Sequence, residues 1–152
     1  MMLSQHFGLA ELCASQTADR LGIANNPDDF ALSNLIVLCH GLEMIRSLVG
    51  GPVLVSSGFR CLELNAAIGS KPTSQHVLGQ AGDITAPSYG DPKNLLKVIM
   101  AAKLPYDQLI LEFYQPATWS APARGWLHVS FVRNTPRMQA LVIDGQGTRA
   151  YA

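Results

Sequence analysis

Three side chains in this sequence are of the types that hold a metal ion ready for chemistry. His76 and Asp83 lie in Ser74-Gln75-His76-Val77-Leu78-Gly79-Gln80-Ala81-Gly82-Asp83, and His128 lies in Trp126-Leu127-His128-Val129-Ser130. Two imidazoles and one carboxylate make a zinc (Zn2+) set that leaves a fourth position open for water. Bonds of about 2.0–2.2 Å require the three side chains to converge closely. Zinc held in this way lowers the pKa of water to about 7 and polarises a carbonyl. A nearby carboxylate must then take the water's proton and pass it to a leaving amine. Glu112, the charge at the end of the apolar run Leu109-Ile110-Leu111, is the candidate for that role. Arg60, which follows Ser56-Ser57-Gly58-Phe59, is the candidate for the cation facing a developing oxyanion.

Elements that could position these residues are readable from periodicity. Residues 3–20 predict a helix, with Leu9, Leu12 and Cys13 as its apolar stripe. Residues 30–49 predict the longest helix, in which Leu32, Leu35, Leu38, Leu42, Ile45 and Leu48 recur every three or four positions before Gly50-Gly51-Pro52. A short helix is expected over 62–68, and another from Asp91 as N-cap and Pro92 as first helical residue to about 102. Strands are expected at 53–58, 81–85, 107–113 and 126–132, with a hairpin around Asp144-Gly145 in the tail. Alternation along a strand puts Trp126, His128 and Ser130 on one face, and Gln108, Ile110 and Glu112 on one face of theirs. Pairing of those two strands would bring Glu112 near His128. Gly79 and Gly82 are expected to let the backbone fold closely between His76 and Asp83. Helices first and then short strands predict an α+β fold with a small, mostly antiparallel sheet packed against helices and the zinc site on the sheet. The chain reads as a single domain over 1–152, with a core of about 3–133 and a hairpin tail of about 134–152.

Composition narrows the classes. Lys+Arg and Asp+Glu number 11 each, and no basic cluster stands out, which argues against a nucleic-acid partner. Cys13, Cys39 and Cys61 cannot all pair within one chain, and they read as buried thiols of a protein made in a reducing cytosol. The N-terminus lacks the basic and apolar regions of a signal peptide. No apolar run is expected to approach the roughly 20 residues of a membrane span. Synthesis in the cytoplasm is therefore expected, with export or release by other means.

Ser74-x-His76-x-x-Gly79-x-Ala81-x-Asp83 resembles the signature of the zinc D-alanyl-D-alanine peptidases. This group also includes murein endopeptidases, phage endolysins and, as a relative in fold, the hedgehog signalling domain. The similarity extends over Ser56-Ser57-Gly58-Phe59-Arg60, Asp107 to Glu112, and Trp126-Leu127-His128-Val129-Ser130-Phe131. The opening Leu3-Ser4-Gln5-His6-Phe7 and Ser15-Gln16-Thr17-Ala18 resemble a phage and prophage branch. The resemblance implies that His76, Asp83 and His128 bind zinc and that Arg60 steadies the substrate carbonyl. It implies that Ser74 serves as a supporting or substrate-contacting hydroxyl, and that the substrate is a peptidoglycan stem peptide. The better known members carry an acid three residues before the last His. Gly125 stands there in this chain, while the phage-type branch carries its acid on the strand equivalent to Leu109–Glu112.

Each of these residues has a plainer reading. Glu112 could pair with Arg124 or Arg133, Arg60 with Glu63, and Ser74 could only tie down its loop. Trp126 is expected to line the cleft and contact substrate, and Trp119 to line core or cleft. His6 and His40 are expected to be packed or solvated, and Asp107 and Asp144 to be turn residues. Two functions follow. The first is a zinc peptidase cutting an amide bond in cell-wall peptides after release or from a virion. The second is a non-catalytic phage virion or tail module, with virion proteins as partners, that keeps the fold.

Overall fold

The computed structural model describes residues 1–152. The long helix forms where the periodicity places it, as α3 (Asp29–Val49). Asp28 caps it by accepting the Ala31 N–H at 2.8 Å. Its buried stripe is Leu35, Leu38, Leu42 and Ile45, while Leu32 is half-buried and Leu48 is exposed. By length and composition α3 is long and apolar enough to cross a membrane. That corrects the expectation that no run approaches such a length, and the buried stripe shows α3 here as the core helix. Among the other helices, α4 (Leu62–Ala67) and α5 (Pro92–Ala101) match their expected positions, the latter with Asp91 accepting the Asn94 N–H at 2.9 Å.

The first expected helix is instead two, α1 (Leu9–Cys13) and α2 (Gln16–Leu21). Ala14 is extended (ψ 136°), and the Ser15 hydroxyl accepts the Ala18 N–H at 3.2 Å to start a new helix. The capping serine wins over the continuous apolar stripe because it satisfies a donor the helix start leaves open. Residues before Leu9 form a small loop closed by a bridge between Met2 and Gly8.

Six strands form one sheet: β1 (Leu54–Ser57), β2 (Ala81–Thr85), β3 (Gln108–Gln115), β4 (Arg124–Ser130), β5 (Gln139–Asp144) and β6 (Gly147–Ala150). Their order is β1-β2-β4-β3-β5-β6, and every neighbouring pair is antiparallel except β3 with β5. The architecture is α+β, as expected. Ile84, Leu127, Leu111 and Val142 stand in register across the sheet. They join the core cluster with Leu35, Leu38, Leu95 and Ile99, residues of α3 and α5. Asp83, His128 and Ile110 stand in register one residue over, on the other face. One face therefore holds the helices and the opposite face is free to hold polar side chains.

Of the cysteines, Cys39 is buried, and burial pushes its thiol up to about 12. Cys13 and Cys61 are only half-buried, which corrects the reading of three buried thiols. His40 is exposed, and His6 pairs with Glu43 at 2.8 Å.

Asp107 is more than a turn residue. It is buried, and its carboxylate accepts from the Arg137 backbone N–H at 2.9 Å, from the Arg137 guanidinium at 2.6 Å, and from Gln75 Nε2 at 2.9 Å. The Gln139 N–H donates to its carbonyl, so Asp107 anchors the start of β5. Burial pushes the carboxyl up, but the bonds from Arg137 and Gln75 more than reverse it and hold it below its usual range. A depressed folded value means stability that is present above the unfolded value near 3.9 and is lost as pH falls through the folded value. Asp107→Asn is expected to lower the Tm by about 4–8 °C near neutral pH. The gap from wild type should close in melts taken below about pH 4. A gap that persists unchanged into acid would show that the charge contributes nothing.

Candidate metal centre

Antiparallel pairing brings two of the three metal-type residues together. Asp83 on β2 lies opposite His128 on β4, and Ser57 on β1 lies opposite Asp83. The third, His76, arrives on the turn-rich loop that precedes β2. Ser74 Oγ accepts the His76 N–H at 3.3 Å, and Asn34 Nδ2 on α3 donates to the Leu78 carbonyl at 2.9 Å. Gly79 sits at φ 73°, with the Ala31 carbonyl where a Cβ would stand, so only glycine lets the loop lie this close to α3. Gly82 meets no such constraint: a Cβ there would find nothing nearer than 3.8 Å. The expectation for Gly79 is met and that for Gly82 is corrected.

The donor atoms converge. His76 Nε2 stands 3.2 Å from His128 Nδ1, and Asp83 Oδ1 stands 3.3 Å from each. Ligand atoms about 2.1 Å from a tetrahedral centre are about 3.4 Å apart, so the set fits one small cation. His76 Nδ1 lies 2.7 Å from the Gly58 carbonyl. A carbonyl only accepts, so Nδ1 carries the proton and Nε2 offers its lone pair to the cluster. All three side chains are buried. Burial alone would raise the Asp83 carboxyl, but the neighbouring His128 and His76 rings outweigh it and hold the group far below the ordinary range.

Two more of the expected residues join them. Arg60 Nη2 donates to Asp83 Oδ2 at 3.3 Å, and its Nε donates to Ser57 Oγ at 3.0 Å. It does not turn to Glu63. Burial lowers the guanidinium's pKa, and Asp83 and Glu112 push it back toward the charged form. Glu112 Oε1 lies 3.9 Å from His128 Nδ1. Burial first, and then the charge of Asp83, raise the Glu112 carboxyl above its ordinary value, while His128, Arg60 and Trp126 act against the rise. Trp126 lies opposite Glu112 in the ladder and is half-buried. A cleft of about 600 Å³ opens beside the cluster, lined in part by Ser15, Thr17, Ser56, Ser57, Phe59 and Arg60. Trp119, by contrast, is fully exposed and belongs to neither core nor cleft.

The sequence model of the Peptidase M15 family matches residues 5–115. The chain belongs to that family. No curated protein matches it significantly. The family's peptidases are zinc-dependent, so the chain is a metallopeptidase by kinship, and its His-Asp-His cluster is a donor set for such an ion. The matched stretch holds Arg60, Ser74, His76, Asp83 and Glu112 but stops before His128. In this M15 chain the last member of the cluster is supplied by the pairing of β4 with β2.

Gly125 has a structural cause. Its φ is 94°, and a Cβ there would stand 2.6 Å from the Glu112 carbonyl, 2.8 Å from Tyr114 Cα and 2.9 Å from the Phe113 carbonyl. The position has no room for an acid. The sequence reading also missed Asn25, whose Nδ2 donates to the Cys13 and Phe59 carbonyls at 2.9 Å while its Oδ1 accepts the Cys61 N–H at 2.8 Å. It ties the N-terminal helices to the segment bearing Arg60. Neither Asn25 nor Gln75 carries a sequence signal, because their partners are remote backbone or side-chain atoms.

Gly125→Ala is expected to cost at least about 2 kcal/mol, and Gly125→Glu at least as much, because φ is positive and the backbone of β3 fills the space. A Gly125→Glu protein with wild-type Tm would overturn this account.

Proposed function

We propose that the chain hydrolyses an amide bond in the stem peptides of peptidoglycan. The observation that carries this reading is Glu112, a half-buried carboxylate within reach of His128 on the sheet face that also carries Asp83 and flanks Arg60. His76, Asp83 and His128 would hold zinc, which supplies Lewis acidity that acidifies water and polarises the carbonyl.

Glu112 takes the proton of the attacking water and delivers it to the departing nitrogen, so a carboxyl raised toward neutrality suits both halves of its task. Arg60 donates to the carbonyl oxygen as negative charge builds there; Asp83 and Ser57 hold the guanidinium in place. The products are a carboxylate and a free amine. Trp126 lines the site next to Glu112, and Ser74 supports His76 through its turn. The cleft beside Arg60 offers room for substrate on the carbonyl side, which a carboxypeptidase and an endopeptidase both need. With cytoplasmic synthesis, access to the wall would come on cell lysis or as part of a phage virion. The empty position at Gly125 favours the other reading, a non-catalytic virion module. The placement of Glu112 weighs against it.

Digestion of purified stem peptides with zinc added tests the reading. Glu112→Gln is expected to lose a factor of about 10²–10⁴ in kcat, and Arg60→Ala about 10²–10³. Equal inactivity of wild type, Glu112→Gln and His128→Ala would remove the enzyme reading. Metal analysis after purification without chelator should give about one zinc per chain, much less in Asp83→Ala and little change in Ser74→Ala. A chelator should lower the wild-type Tm, because a metal bound only by the folded state stabilises it. Equal metal retention in both variants would show the ligand assignment to be wrong.

A further inference from the structure

Phe113 is unusual twice over. Its φ of 49° lies in the left-handed region, which a bulky aromatic adopts only against strain. It is also 50% exposed. Both features come from one irregularity. Between Glu112 and Gln115 the register with β4 slips, so that Phe113 and Tyr114 together oppose Gly125. One extra residue reverses the alternation of faces. Tyr114 drops to the helix side, where its hydroxyl donates to Asp91 Oδ2 at 2.8 Å. Phe113 turns to the opposite side and sets its ring against Trp126, with centroids 5.7 Å apart and planes at 38°. Trp126 stands opposite Glu112 and Phe113 follows Glu112 in the chain, so the aromatic pair lies beside that residue.

We propose that Phe113, backed by Trp126, forms an aromatic wall that receives the side chain of the residue whose amine departs. The proposal rests on the stem-peptide reading above. Glu112 delivers a proton to the departing nitrogen, so the residue bearing that nitrogen lies on the Glu112 side. Arg60, Ser57 and the cleft lie toward the carbonyl side. Adjacent Cα atoms are about 3.8 Å apart, which sets the wall within one residue of the bond being cut. That distance matches a flanking amino-acid side chain. An aromatic face rewards aliphatic surface laid against it and gains nothing from glycine. The bulge is thus the device that takes an aromatic out of the helix side and adds it to the site.

Two peptides that differ only in the residue whose amine is released, leucine in one and glycine in the other, test the proposal. The wild-type protein is expected to favour the leucine peptide about tenfold in kcat/KM. Phe113→Gly should reduce that preference below about twofold, and Phe113→Tyr should restore it. Glycine accepts a φ of 49° without strain. Phe113→Gly is therefore expected to keep its Tm or gain up to about 4 °C, which separates a lost contact from a lost fold. An unchanged preference in Phe113→Gly overturns the proposal, as does a wild-type preference for the glycine peptide. Calorimetric titration of both peptides reads the wall without turnover. A wild type that binds but cleaves neither removes the hydrolase reading, while the affinity ratio in wild type and Phe113→Gly still decides the wall. A wild type that binds neither overturns both.

Discussion

The pairing of β2 with β4 sets Asp83 directly opposite His128, and the rest of the site is built outward from that one rung of the sheet. Side chains on a strand alternate, so a slip of one residue would carry either ligand to the helix face. The register is held because the neighbouring rung, Ile84 with Leu127, is fully buried against α3 and α5. Burial of the apolar face thus fixes the geometry of the polar one. The same ladder continues into β3 and brings Glu112 and Trp126 to the site.

His76 is the one member not held by a strand, and the structure restrains it by other means. Its loop lies on α3 through Gly79 and Asn34. Its neighbour Gln75 bonds to Asp107, which in turn holds Arg137 and the start of β5. Gly58 fixes the tautomer from below. A loop tied at several points can present a lone pair as rigidly as a strand does, and a metal site needs that precision.

The bulge in β3 answers the question that Gly125 raises. Two residues of β3 crowd against Gly125, so the position three before His128 has neither the space nor the backbone conformation for an acid. In the proposed mechanism the carboxylate is Glu112 on the neighbouring strand, on the same face and next to the bulge, 3.9 Å from His128. Glycine and bulge are one feature seen from two strands. Bulges beside functional sites commonly re-aim side chains.

The metal-type residues were legible because their chemistry restricts them to few residue types at fixed spacing, and the resemblance to a peptidase family rested on those same letters. The strands carrying Asp83, His128 and Glu112 were legible as short apolar segments between loops, and the long helix from its 3.6-residue period. The split of the first helix was not, because a single capping serine decided it. Asp107 read as a turn residue because its partners, Gln75 and Arg137, are remote in the chain. By itself, then, the sequence determined which residues could bind a metal and which face of each strand they occupy, since both are local properties. Only the tertiary structure decided that His128 meets Asp83, that Glu112 comes within 3.9 Å of His128, and that Phe113 turns to the same face. Each of those depends on strand register, and register is set by the packing of the whole sheet on its helices.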